Sequence, residues 1–146
     1  MTELDPFNLE RFVAAQATTF ESALKELNAG RKRSHWMWFI FPQLRDLGRS
    51  SIAKTYGIAS VEEAHAYLNH PIIGDRLLRV TRAVLLHENS SPQAIFGSPD
   101  FMKFRSCMTL FAKVDPSGPF EEALKTFFAG EEDEATLRLL EENANR

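Results

Sequence analysis

The sequence predicts an all-α fold, a single compact multihelical domain of about eight short helices. Two observations predict it. Helix start and stop residues recur along the whole chain, and no stretch between turn residues shows the apolar-polar alternation of a half-buried strand. Val and Ile are sparse, and Asn-Gly and Asp-Gly hairpin turns are absent from the sequence.

The elements follow in order. Asp5-Pro6 sets an N-cap residue before a proline suited to a first helical turn, ahead of Phe7, Leu9, Phe12 and Val13. Thr18-Thr19-Phe20-Glu21 reads as a capping box opening ESALKELNA, which stops at Gly30. WMWFIF follows Ser34 and ends at Pro42, so a short buried helix starting at Ser34 is favoured over a buried strand. Ser50-Ser51 precedes IAKTY, and Ser60-Val61-Glu62-Glu63 is a second capping box that stops near Pro71. From Pro71 to about Glu88 apolar residues return at helical spacing. Ser91-Pro92, Ser98-Pro99 and Gly118-Pro119 open three further segments, and Asp133 caps EATLRLLEENA. Residues 1–146 read as one domain with short loose ends near 1–4 and 142–146.

Composition narrows the function classes. A chain of 146 residues suits one domain, with 44% hydrophobic and 25% charged residues in the ordinary globular range. A net charge of −3 is no footprint of a dedicated nucleic-acid binder. One cysteine, Cys107, excludes an internal disulfide and fits a reducing compartment. No apolar run approaches the ~20 residues of a membrane helix, and the acidic N-terminus does not read as a signal peptide. These features together read as a cytoplasmic protein.

Several segments carry a family resemblance. SHWMWFIFPQL, LGRSSIAKTYGI, EEAHAYLNHPIIGDRLL, IFGSPDFMKFRSCMTLF and FFAGEEDEATLRLL, in that order, resemble the family known as domain of unknown function eighteen-ten, from about Asp5 to Leu140. The resemblance implies a small, all-helical, intracellular domain of bacterial type with no settled biochemical role and no catalytic residues to carry over. The label calpastatin, sometimes attached to that family, finds no support in these residues. In its general helical layout the chain is also similar to small helical domains that process ADP-ribose derivatives, and this shapes the ligand class expected here.

The stretch RKRSHWMWFIFPQ at 31–43 holds both tryptophans directly after three cations. Cations beside the free amides of a helix start suit an anion, and an adjacent indole can stack on a planar group. Lys32, Ser34, His35, Trp36, Trp38 and Gln43 are therefore candidate ligand contacts, although core packing is the simpler reading of the aromatics. Ser50 at a second helix start, Tyr56 at a helix end, and Lys103 join them. Asp100, Lys103 and Ser106 or Cys107 fall on one side of a helix, which makes Asp100 one candidate acid-base group, and His35, beside two tryptophans, is the other. An Asp100–Lys103 ion pair is the simpler reading of that spacing. Metal-ligand spacings and dinucleotide or phosphate-loop signatures are missing from the sequence, so no metal and no cofactor is expected.

The reading is a small-molecule pocket for an anionic ligand, nucleotide or ADP-ribose-like, with catalysis left open. The alternatives are a non-catalytic protein-interaction domain, or nucleic-acid binding through Arg31, Lys32, Arg33, Arg45 and Arg49 if these meet on one face.

Overall fold

A computed structural model describes residues 4–144, and its regular elements are helical. They comprise α1 (Glu10–Ala17), α2 (Phe20–Asn28), α3 (Met37–Ile40), α4 (Ser51–Thr55), α5 (Val61–Asn69), α6 (Ile73–Leu85), α7 (Pro92–Phe96), α8 (Asp100–Val114), α9 (Pro119–Phe128) and α10 (Glu134–Ala144). A single 3-10 turn spans Arg45–Leu47. There are ten helices among the described residues rather than about eight, and three of them, α3, α4 and α7, are only four or five residues long. Of the loose ends expected near 1–4 and 142–146, residues 1–3 and 145–146 lie outside the described residues, and α10 runs on to Ala144.

Side-chain caps explain the starts of α4, α5, α7 and α10. Ser50, Ser60 and Ser91 each accept the amide three residues on, at 3.2, 3.1 and 3.0 Å. Asp133 accepts both the amide and the hydroxyl of Thr136, which starts α10 where the sequence predicts. Gly30 ends α2 at φ +83°, a left-handed turn that a side chain would strain.

Three starts differ from expectation. Asp5 does not open a helix at Pro6. Its two carboxylate oxygens accept the amides of Leu9 and Glu10 at 2.8 and 3.0 Å, so it caps from further back and α1 begins at Glu10. The Thr18 capping box does not form, and α2 starts at Phe20 with no side-chain cap. Finally, α3 starts at Met37 with Trp36 at its N-cap, not at Ser34.

Helix α8 is the centre of the packing. It touches α5, α7, α9 and α10, and Phe104 with Ser106 through Ala112 is buried on it. A helix buried around most of its girth is a core helix. Phe104 gathers Phe41 at 5.2 Å edge-on and Phe96 at 4.6 Å stacked, which ties α3 and α7 to the centre. Helix α6 packs on α2, α5 and α9. At its start Gly74 lies against the carbonyl of Leu68, where a Cβ would collide with backbone. Long-range ties close the N-terminal side. The Arg11 guanidinium donates to the carbonyls of Thr55 and Gly57 and pairs with Glu63 at 2.7 Å.

Candidate functional site

The stretch after α2 is shaped by Glu26. Its Oε1 accepts the amides of Arg33 and Ser34 at 2.6 and 2.8 Å and the indole N–H of Trp36 at 3.1 Å. Its Oε2 accepts the Ser34 hydroxyl at 2.6 Å. Partial burial pushes this carboxyl up, but the Ser34 hydroxyl, the two amides and the indole outweigh burial and hold its pKa down at about 2. Arg33 and Ser34 therefore lie in a loop wrapped on a carboxylate, and their amides are not offered to a ligand. Ser34 serves as a ligand of Glu26 instead of a helix cap.

The cations sort by burial. The Lys32 side chain is only 8% exposed. Its Nζ donates to the Ser34 carbonyl at 2.6 Å, pairs with Asp100 Oδ2 at 3.0 Å and lies 5.1 Å from the centre of the Trp36 ring. Its amide donates to the Ile95 carbonyl at 2.7 Å, which ties the loop to α7. Lys103, 25% exposed, reaches Asp100 Oδ1 at 3.5 Å from one turn along α8 and lies 4.9 Å from the Trp38 ring centre. Two ammonium groups thus meet on one carboxylate, each over a tryptophan.

The two indoles differ in depth. Trp36 is fully buried, whereas Trp38 is half-buried at the rim. Beside the cluster an open cleft of about 590 Å³ is lined by Gly30, Arg31, Lys32 and the Gln93–Gly97 turn.

Six of the ten residues singled out in the sequence come together here: Lys32, Ser34, Trp36, Trp38, Asp100 and Lys103. His35 is adjacent but exposed, and its ring makes no hydrogen bond or ion pair among the described residues. It is neither a core donor nor held in place for proton transfer. The other three serve elsewhere. The Gln43 carbonyl accepts the Ile58 amide at 2.9 Å beside a lone Leu44–Ile58 bridge. Ser50 caps α4. Tyr56 packs its ring 5.2 Å from Phe39 and 6.0 Å from Phe12. Ser106 turns back to the Met102 carbonyl and Cys107 is buried, so neither extends the Asp100–Lys103 row. Burial pushes the Cys107 thiol well up, away from thiolate chemistry.

Glu26 and the Gln93–Gly97 wall were not singled out in the sequence. Glu26 reads there as an ordinary helix-surface acid, and nothing local announces that it grips residues 33–36.

This cluster belongs to a recognisable kind of chain. Residues 6–140 match the family described as "Protein of unknown function (DUF1810)". The chain is a DUF1810 protein. This DUF1810 chain is also similar to the conserved hypothetical protein Rv1873 from Mycobacterium tuberculosis, known from a crystal structure at 1.38 Å. The two are 50% identical with a TM-score of 0.92, over 94% of this chain and 99% of that one. No curated protein matches the chain. Among the described residues of this DUF1810 protein, no helix is long and apolar enough to cross a membrane.

Proposed function

We propose that this DUF1810 protein binds a small anionic ligand with a planar moiety, of nucleotide or ADP-ribose-like chemistry, at the rim formed by Lys103, Trp38, Asp100 and Lys32. The observation that carries the reading is the convergence of the Lys32 and Lys103 ammonium groups on the two oxygens of Asp100, at 3.0 and 3.5 Å, with a half-buried indole beside them. Lys103 and Trp38 are the ligand-facing members, since both are partly exposed. Lys32 and Trp36 form the backing. The planar moiety stacks on Trp38, and the anionic group meets Lys103.

Binding without turnover fits these groups best. A general base needs an orienting partner and reach to its proton. His35 lacks the first, and both Asp100 oxygens are engaged by lysines. The interaction-domain alternative has less support. The large apolar side chains left exposed, Leu4, Ile52, Ile72, Leu86 and Met102, come from separate stretches. The nucleic-acid alternative loses Lys32, which is buried in its ion pair.

The test is a thermal-shift screen of the purified protein against nucleotides, ADP-ribose, NAD and phosphorylated metabolites. Reproducible stabilisation by one ligand class, abolished in Lys103→Met and weakened in Trp38→Leu, is the expected result. A flat response across the panel refutes the reading.

A further inference from the structure

Gln16 is a polar side chain placed in the core, 1% exposed, with its amide fully engaged. Its nitrogen donates to the Phe39 carbonyl at 2.7 Å and to the Tyr67 hydroxyl at 3.0 Å. Its oxygen accepts from Arg76 Nη1 at 3.5 Å. Tyr67 is wholly buried, and burial pushes its phenol up out of reach of ordinary titration, so the hydroxyl stays neutral. A buried polar network is retained only when its members are satisfied. This one leads outward to a guanidinium on α6.

At the surface Arg76 has a companion. The guanidinium carbons of Arg76 and Arg79 lie 5.1 and 5.0 Å from the centre of the same ring, that of Phe20. They are therefore no more than about 10 Å apart. Neither forms an ion pair among the described residues, and Asp75 beside Arg76 and Glu21 beside Phe20 are exposed and pair with neither. Two like charges share one aromatic ring without a counterion among the described residues, on a protein of net charge −3. That differs from the Lys32–Asp100–Lys103 cluster, which carries its own carboxylate. The two places are also separate, because Phe20 opens α2 and Glu26 with Lys32 lie toward or beyond its other end.

We propose that Arg76 and Arg79, braced by Phe20 and by Gln16, form a second anion site that receives the diphosphate group of a small molecule. The guanidinium fork matches phosphate oxygens two at a time, and two forks no more than about 10 Å apart are within reach of the two phosphates of one diphosphate. Stacking on Phe20 and the bond to Gln16 hold the forks before the ligand arrives, which lowers the entropy cost of binding. The anion also removes the repulsion between the two cations, a gain that an already paired lysine lacks.

The experiment follows the Arg Nε–H resonances of the full chain while inorganic pyrophosphate is added, with chloride at matched ionic strength as the control. ADP and a single-stranded oligonucleotide form parallel arms. The Arg76 and Arg79 signals should shift saturably with pyrophosphate, and affinity should fall about tenfold or more in Arg79→Gln. A similar response to ADP names a nucleotide diphosphate as the source, and a response to pyrophosphate alone names the free anion. Arg79 is exposed, so its variant should keep the wild-type melting temperature. Arg76→Gln is the second variant and should lose binding even where it costs some stability. Shifts that fail to saturate, or that appear equally at Arg31, Arg33, Arg45 and Arg49, overturn the proposal as general screening. An oligonucleotide that binds through Arg79 while pyrophosphate does not would overturn it in favour of a nucleic-acid face.

Discussion

Glu26 and Asp100 grip the same stretch of chain in different ways. Glu26 is bound by two backbone amides, a hydroxyl and an indole, all within residues 33–36. Asp100 is bound by the ends of two lysine side chains that arrive from residue 32 and from its own helix. Fixed backbone donors leave Glu26 no room to exchange partners, so it behaves as a fastening. Lysine ammonium groups are rotatable point charges and can move to another anion. The neighbouring carboxylates thus separate a structural role from an exchangeable one, and each substitution below tests that division.

The largest effect is expected at Glu26. Glu26→Ala leaves the buried Trp36 N–H without an acceptor and frees the Arg33–Ser34 loop, at a cost of about 1–3 kcal/mol in chemical denaturation. The pH dependence has a definite sign. The folded pKa of about 2 lies below the ordinary 4.5, so the stability Glu26 contributes is fully present above pH 4.5 and fades as pH falls toward 2. The stability gap between wild type and Glu26→Gln should therefore narrow across that window. A gap that stays constant down to pH 2 would mean that the four donors do not act on the carboxylate.

A smaller effect, of opposite sense for binding, is expected at Asp100. Asp100→Asn removes the one negative charge between two ammonium groups. The Asn oxygen still accepts from the buried Lys32, and Lys103 is partly exposed, so the stability cost is about 1 kcal/mol. An anionic ligand at the rim should bind about two- to fivefold more tightly, since it no longer competes with an internal carboxylate. Calorimetric titration of wild type and variant with whichever ligand class stabilises the protein reads this directly. Weaker binding in Asp100→Asn would make Asp100 a second fastening that positions the lysines, and the division between the two carboxylates would collapse.

Local features of the sequence were informative wherever a boundary is settled within four residues. Ser60, Ser91 and Asp133 cap where the sequence places them, and Gly30 ends its helix at positive φ. The Asp100–Lys103 pair was legible for the same reason, as an i, i+3 spacing on one helix. The start of α3 was not. Ser34 has the composition of a cap, yet Glu26, eight residues earlier, takes its amide and hydroxyl. Lys32 meets Asp100 across a much longer separation, so its conversion from free cation to buried partner has no local signature. The Arg76–Arg79 pair shows the same limit. Its spacing is ordinary for an exposed helix face, and only the packing of α2 on α6 puts Phe20 beneath both guanidinium groups.

The smallest effect separates the two tryptophans, and it needs no ligand. Trp36→Phe leaves Trp38 as the sole indole, and Trp38→Phe leaves Trp36. Trp36 is wholly buried, so its emission should resist every dissolved quencher. Trp38 is half-buried with the Lys103 ammonium 4.9 Å from its ring centre, so iodide should quench it more than caesium does. An ammonium over an indole attracts anions locally and adds about 0.5–1 kcal/mol of cation–π energy at an exposed site. Lys103→Met keeps the apolar stem and removes the charge, so the preference for iodide should vanish while overall access to Trp38 stays the same. Equal quenching by the two ions in the parent protein would show that Lys103 leaves the indole in solution, and the anion-binding rim would then lose its positive half.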